Sequence, residues 1–142
     1  MNIGPQGIAL IQSYEKCRLS AYLPTPDDKW TVGWGHTGPE VHEHLTITQA
    51  QADALFLEDI AWVEVCVNKA VTAELNQQEY DALCSLVFNI GCGAFGKSTL
   101  VKLLNAGDYD VALQFKVWNR QNHKELAGLT KRRAAEAALF EM

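Results

Sequence analysis

One stretch of the sequence, from Asn76 to Gly91, is apolar on nearly every side and constrains the fold more than any other. Asn76 and Glu79 have the spacing of a capping box, which predicts that a helix begins there. The side chains that surround this helix with apolar surface are Tyr80, Leu83, Cys84, Leu86, Val87, Phe88 and Ile90. Because a helix that is apolar all round is buried, we expect this one to form the centre of a helical lobe.

The size and composition of the chain are those of one soluble globular domain. Its 142 residues are enough for a substantial core, and 48% of them are hydrophobic while 20% are charged. No run approaches the ~18 apolar residues of a membrane-spanning helix. The first residues lack the basic start and the small-residue cleavage site of a signal peptide. We therefore expect the chain to remain in the cytoplasm of the cell that makes it, without stable membrane insertion.

The cysteines, histidines and net charge argue against metal, redox and nucleic-acid functions. No CxxC spacing links Cys17, Cys66, Cys84 and Cys92, so we expect four reduced, mostly buried thiols and no metal site. His42 and His44 could ligate a metal, but no third ligand follows at a suitable spacing. A net charge of −5 disfavours nucleic acid as a partner.

Residues that could carry chemistry are concentrated between Tyr14 and Thr37. Ile8, Ile11 and Glu15 fall on one face of a predicted helix, so Glu15 continues an apolar stripe. A carboxyl group that is partly shielded from water is suited to act as a general acid. A turn rich in proline and aspartate then leads into an extended run that ends in a Gly35-His36-Thr37 segment.

This segment resembles the active site of phage-type lysozymes, the T-even-like endolysins of glycoside hydrolase family 24. The resemblance rests on Glu15, on Arg18-Leu19-x-Ala21-Tyr22, and on Trp30-Thr31-Val32-Gly33-Trp34-Gly35-His36-Thr37. It implies an α+β, mostly helical, two-lobed fold in a single domain of residues 1–142. A small β-hairpin N-terminal lobe would cover about 13–60. A helical C-terminal lobe would cover about 61–142 plus the first helix, and a long helix after Thr48 would join the two lobes.

By resemblance, the chain hydrolyses the β-1,4 bond between N-acetylmuramic acid and N-acetylglucosamine in bacterial peptidoglycan. Glu15 matches the general acid of the family and Thr31 its catalytic threonine. The family's aspartate position is occupied by Pro24, so we expect Asp28, three residues before Thr31, to replace it; Asp27 is the other candidate. The family needs no cofactor or metal. The resemblance further implies a monomer that reaches the wall, or the periplasm, through a membrane lesion made by a holin.

Further positions are carried over from the same resemblance. Asn89, Arg132 and Trp34 are predicted to bind substrate. His36 is predicted to form a structural ion pair with Asp59, which should raise the pKa of the imidazole and lower that of the carboxyl group.

A basic segment and two rival functions complete the sequence-based expectations. Between Lys116 and Arg133 there are six basic residues and one acid, which favours a basic cleft wall over a merely solvated surface. One rival is a lytic transglycosylase, which needs only one glutamate. The other is a non-catalytic module that binds wall or protein, favoured by Pro24 and by the net acidity.

Overall fold

The computed structural model describes residues 1–121 and 124–142, and within them a mostly helical chain with two small antiparallel sheets. The helices are α1 (Pro5–Glu15), α2 (Gln49–Ala70), α3 (Gln77–Ile90), α4 (Cys92–Gly96), α5 (Thr99–Asn105), α6 (Ala112–Lys116) and α7 (Ala127–Phe140). The strands are β1 (Arg18–Tyr22), β2 (Thr31–Gly33), β3 (His36–Thr37), β4 (Arg120–Gln121) and β5 (Lys124–Glu125).

The chain divides into two compact units. The first, here called the helical unit, comprises Met1–Ile11 and Trp62–Met142. The second, here called the sheet unit, comprises Gln12–Ala61. The helix α2 contributes residues to both. The predicted α+β, mostly helical lysozyme-like fold is confirmed.

The helical unit is built on α3, as its all-round apolar surface predicts. The capping box is present, because the Asn76 side chain accepts from the Glu79 backbone N–H and the Glu79 carboxylate accepts from that of Asn76, both at 2.8 Å. All residues from Tyr80 to Val87 are buried. The helix packs chiefly on α7 and lies within one continuous hydrophobic cluster. Burial on nearly all sides follows from apolar side chains on nearly all sides.

The sheet unit packs a three-stranded antiparallel sheet, in the order β1-β2-β3, against the first half of α2. Tyr22 pairs with Thr31 across β1 and β2, and Val32 is fully buried. The ring of Phe56 on α2 is buried beneath this sheet. The helix begins as predicted, because Thr48 and Gln51 form a second capping box. The sheet and the helix start together position the residues of the candidate site.

Two residues in or near helices have local roles that packing decides. Trp62 on α2 is 52% exposed, because Phe56, Ile60 and Val63 form the buried side of this helix. Asp108 precedes α6 without capping it, and its carboxylate accepts from the Asp110 backbone N–H, as in a local turn.

The chain between α6 and α7 contains the short β4–β5 ladder, and α7 begins at Ala127. Asn122 and His123 lie outside the described residues.

The prediction of four reduced thiols is wrong for one pair of cysteines. Cys66 in α2 and Cys92 in α4 form a disulfide, with Cα atoms 5.7 Å apart, whereas Cys17 and Cys84 are free. A search for CxxC spacing detects only local pairs, and these two cysteines are 26 residues apart in the sequence. The packing of α2 and α4 in the helical unit brings them together. No helix in the described part of the chain is long and apolar enough to cross a membrane.

Candidate active site

Glu15 ends α1, and its carboxyl group lies against the backbone of Gly35. Gly35 has φ +75°, in the left-handed region that favours glycine. A Cβ added at this position would lie 2.9 Å from the Glu15 Cδ and closer still to a carboxylate oxygen. The absence of a side chain at position 35 therefore leaves the space that the Glu15 carboxyl group occupies.

Tyr22 links Glu15 electrostatically to one of the two candidate aspartates. Burial raises the pKa of the Tyr22 phenol, the negative charges of Glu15 and Asp28 raise it further, and the guanidinium of Arg18 opposes them. That guanidinium lies 4.4 Å from the centre of the Tyr22 ring. Tyr22 is also the direct ladder partner of Thr31. The phenol of Tyr22 thus responds to the charges of both Glu15 and Asp28, a role that the sequence reasoning did not recognise.

Asp28 lies in the turn that precedes β2. Its carboxylate accepts from the Thr25 hydroxyl at 3.4 Å and from the Lys29 backbone N–H at 3.3 Å. Because β2 begins only at Thr31, strand alternation does not force Asp28 to the face opposite that threonine. The negative charge of Asp28 is among the causes that raise the Tyr22 pKa. The preference for Asp28 over Asp27 stays a prediction.

Thr31 is almost completely buried, at 5% exposure. Its hydroxyl donates to the Lys29 carbonyl at 2.9 Å, which fixes the orientation of the side chain. A hydroxyl that donates in one direction keeps lone pairs that can accept a hydrogen bond from a water molecule.

Trp34 is held by α2 within the sheet unit. Its indole N–H donates to the Asp53 carboxylate at 3.0 Å, and its ring is tilted against Phe56 with the centroids 6.1 Å apart. Hydrogen bonds from Trp34 and then from Gln49 hold the pKa of Asp53 below its ordinary value. These contacts orient the indole ring and engage its one polar atom.

His36 lies between two carboxylates. Its Nδ1 is 2.8 Å from Asp59 and its Nε2 is 2.6 Å from Glu40, a partner that the sequence reasoning missed. Both ring nitrogens face acceptors, so both carry protons in the imidazolium form. Burial acts to lower the His36 pKa, but the hydrogen bonds to Glu40 and Asp59 outweigh it and the pKa is raised.

The expected lowering of the Asp59 pKa is wrong. Burial raises the pKa of this carboxyl group, and the opposing hydrogen bond to His36 does not compensate. The sequence reasoning counted the attraction of the imidazolium but not the removal of the carboxylate from water.

The cluster of His36, Glu40 and Asp59 predicts that the stability of the fold has an optimum in pH. The raised His36 pKa stabilises the fold below 6.5, and that contribution is lost as pH rises through the folded pKa. The raised Asp59 pKa acts in the same direction. It stabilises the fold below 3.8, and this contribution is lost as pH rises through the folded pKa. The lowered Glu40 pKa stabilises above 4.5, and its contribution fades as pH falls through the folded pKa.

We expect Glu40→Gln to lower the His36 pKa measured by NMR titration and to flatten the loss of stability above pH 6.5. Glu43→Gln, which alters an exposed carboxylate, is the control. An unchanged His36 pKa in Glu40→Gln would refute the assignment.

In the helical unit, Arg132 and Arg133 are buried at 4% and 0% exposure. Both pair with Glu136, at 3.2 Å for the Arg132 Nε and 2.7 Å for the Arg133 Nε. An Arg132 terminal nitrogen also donates to the Ser85 carbonyl at 3.1 Å. The expectation of a six-residue basic surface is therefore wrong for these two arginines, whose charges meet a buried carboxylate. Asn89 is exposed near the end of α3.

Gly35→Ala is expected to lower activity at least tenfold by displacing the Glu15 carboxyl group. The backbone strain of a non-glycine residue at positive φ, about 1–2 kcal/mol, must be separated from this effect. Gly107→Ala is a matched control, since Gly107 has φ +87° and open space where its Cβ would be. Wall hydrolysis and melting temperature are measured for both. Equal activity in the two variants would show that Gly35 does not position Glu15.

A mostly helical chain with a small three-stranded antiparallel sheet, in which Glu15 ends α1 beside Gly35, has a lysozyme-like fold. The family model described as phage lysozyme matches residues 12–136. The chain belongs to the phage lysozyme family.

The relatives are phage endolysins and muramidases. The chain is 48% identical over 146 residues to the endolysin of Acyrthosiphon pisum secondary endosymbiont phage 1, covering 99% of both chains. It is 40% identical to the endolysin of Salmonella phage P22, covering 99% of this chain and 98% of that one.

Solved structures give the same result. The crystal structure of P22 lysozyme mutant L86M has a TM-score of 0.82 and 38% identity, covering 100% of this chain and 99% of that one. The muramidase domain of SpmX from Asticaccaulis excentricus has a TM-score of 0.86 and 36% identity, covering 99% and 98%. The chain is a glycoside hydrolase, a muramidase that degrades peptidoglycan.

Proposed function

We propose that the chain cleaves the β-1,4 bond between N-acetylmuramic acid and N-acetylglucosamine with Glu15 as general acid and with Asp28 and Thr31 acting on the attacking water. The proposal is supported by the position of Thr31 opposite Tyr22 across the sheet and by the charges of Glu15 and Asp28, both of which raise the Tyr22 pKa. Gly35 provides the space for the Glu15 carboxyl group.

The reaction proposed for these residues inverts the anomeric centre. Glu15 gives its proton to the glycosidic oxygen as the bond to the muramic acid C1 breaks. A water molecule, held by the Thr31 hydroxyl, attacks C1 from the opposite face, and Asp28 accepts its proton. The negative charge of Asp28 also stabilises the oxocarbenium-like transition state.

Asp28→Asn is expected to reduce wall hydrolysis by about 10²-fold or more, because general base catalysis is lost. Stability should hardly change, since the side chain is exposed, and the asparagine amide oxygen can still accept from the Lys29 backbone N–H while its NH2 group donates to the Thr25 hydroxyl oxygen. Asp27→Asn is the matched control in the same turn and should keep the parental rate. Equal, small losses in both variants would leave Glu15 and Thr31 as the whole catalytic apparatus.

A lytic transglycosylase is the second candidate, favoured by the replacement of the family aspartate with Pro24. It would end in an anhydro sugar without consuming water. Mass spectrometry of digested peptidoglycan tests both: reducing muropeptides support hydrolysis, and anhydro-muropeptides support transglycosylation. Intact wall would mean a non-catalytic binding module.

Asn89, Arg132 and Trp34 are proposed to hold the glycan during the reaction. Asn89 is exposed and can offer both its amide oxygen and its amide nitrogen to a sugar. The Trp34 ring is oriented by Asp53 and Phe56, which suits a stacking surface. The ion pair with Glu136 holds Arg132 in place. Arg132 can therefore act on the glycan only through short-range hydrogen bonds or through its charge.

The biological setting is proposed from the relatives, which are named endolysins. The protein would accumulate as a monomer in the cytoplasm of a phage-infected cell. A holin lesion would then release it to the periplasm and the wall, where it lyses the host.

A further inference from the structure

Two shallow cavities in the sheet unit share Trp30 as a lining residue, and the catalytic proposal uses neither. One has a volume of about 590 Å³ and is lined by Lys29, Trp30, Thr37, Gly38, Pro39 and Val41. The other has a volume of about 320 Å³ and is lined by Ser20, Ala21, Trp30, Glu43, His44 and Thr46. Trp30 is half-buried, so its indole is accessible from both cavities.

Because Trp30 lines both cavities, the two together are called the groove. Trp30 directly precedes the central strand β2, with Ser20 on β1 at one side and Thr37 on β3 at the other. Since neighbouring strands are about 4.8 Å apart, the groove spans about 10 Å across the three strands, close to the length of a disaccharide. Neither cavity is lined by Glu15, Asp28 or Thr31. The groove is therefore distinct from the proposed catalytic residues.

One wall of the groove is preformed. The loop that carries His44 is tied to β1 by backbone hydrogen bonds from Ala21 to Leu45 and from Ile47 to Leu19, both 2.8 Å. His44 has φ +71°, a conformation that non-glycine residues rarely adopt. Its side chain is almost fully exposed beside the cavity. A strained backbone that is held in place by its surroundings is a frequent feature of binding sites.

The chemistry of the groove matches a pyranose better than an apolar ligand. The indole of Trp30 offers a flat apolar face, and Ser20, Thr37 and Thr46, which carry hydroxyl groups, are among the other residues that line the two cavities. A pyranose presents C–H groups on its face and hydroxyl or acetamido groups at its edge, which suit an aromatic platform with a few polar groups. Lys29 adds a cation that can attract a carboxylate such as that of the muramic acid lactyl group.

We propose that this groove binds a linear glycan of N-acetylated hexosamines, as a wall-binding site separate from the catalytic residues. The inference rests on the proposed function only in naming the peptidoglycan glycan strand as the ligand. Binding at this groove would hold the enzyme on an insoluble polymer between bond cleavages.

An NMR titration tests the contact directly. Uniformly ¹⁵N-labelled Glu15→Gln protein is titrated with the β-1,4-linked tetramer of N-acetylglucosamine, and the Trp30 indole N–H signal is assigned with Trp30→Phe. We expect a saturable shift of the Trp30 signal and no shift for Trp62, which is 52% exposed and lines neither cavity. No shift at Trp30, or an equal shift at Trp62, would overturn the proposal.

Sedimentation with purified peptidoglycan sacculi separates groove binding from binding near Glu15. In the Glu15→Gln background, Trp30→Ala should weaken sacculus binding about three- to tenfold, the range expected for loss of one aromatic stacking contact. Trp30→Phe should restore part of the binding, and Trp62→Ala should bind like the parent. Thermal melts exclude unfolding as the cause.

Equal binding by Trp30→Ala and Trp62→Ala would refute the groove as a wall-binding site. The muropeptide products of the parental enzyme provide an independent result. If the parent leaves the wall intact while Trp30→Ala still weakens binding, the proposed hydrolysis fails and the groove stands.

Discussion

Replacing Glu15 with glutamine is expected to abolish wall hydrolysis while the protein remains folded. Glutamine has nearly the shape of glutamate but carries no carboxyl proton to give to the leaving oxygen. General acid catalysis contributes ~10²- to 10⁴-fold to a rate, so the release of reducing ends from purified peptidoglycan should fall by at least that factor. The space beside Gly35 admits the amide as readily as the carboxyl group.

Glu58→Gln is the matched control for this variant. Glu58 is an exposed carboxylate on the α2 helix of the same sheet unit, so its loss should leave the rate and the melting temperature unchanged. Parental activity in Glu15→Gln would refute the role of Glu15 as the acid. A lost rate accompanied by a lowered melting temperature would instead assign Glu15 a structural role.

The parts of the fold that could be predicted from the sequence have complete local signals. The helix α3 has its capping pair, its apolar surface and its terminal glycine within one stretch, so nothing distant is needed to recognise it. The start of α2 is similar, with Thr48 and Gln51 close together. The prediction of Glu15, Thr31 and Asp28 has another basis. Only the resemblance to a family distinguished these residues from ordinary surface and strand residues.

Features that depend on distant residues could not be predicted. Nothing local indicates that Glu40 will reach the free nitrogen of His36, or that Gly35 will lie against Glu15. The disulfide between Cys66 and Cys92 depends equally on helix packing. The burial of Arg132 and Arg133 is a different case, since Glu136 lies at the i+4 and i+3 positions in the sequence. Counting charges assigned all six basic residues to a cleft wall and did not consider a buried partner for these two.

The three charges of this cluster form a buried network that is central to the stability of the helical unit. Glu136 is fully buried, receives both guanidinium groups and accepts from the Ser85 hydroxyl on α3. Burial raises the Glu136 pKa, and the charges of Arg133 and Arg132 oppose that shift. Removing a carboxylate from such a network leaves buried positive charge that is no longer neutralised, which costs more than the loss of an ordinary contact.

Glu136→Gln is therefore expected to lower the free energy of unfolding by about 3–5 kcal/mol, measured by urea denaturation. Glu141→Gln, an exposed glutamate just beyond α7, is the control and should change it by less than about 0.5 kcal/mol. If buried, unneutralised charge causes the loss, then Arg133→Met in the Glu136→Gln background should recover part of the stability, because it removes one of the two cations. A loss below about 1 kcal/mol in Glu136→Gln, or a further loss on adding Arg133→Met, would show that the network does not act through charge neutralisation.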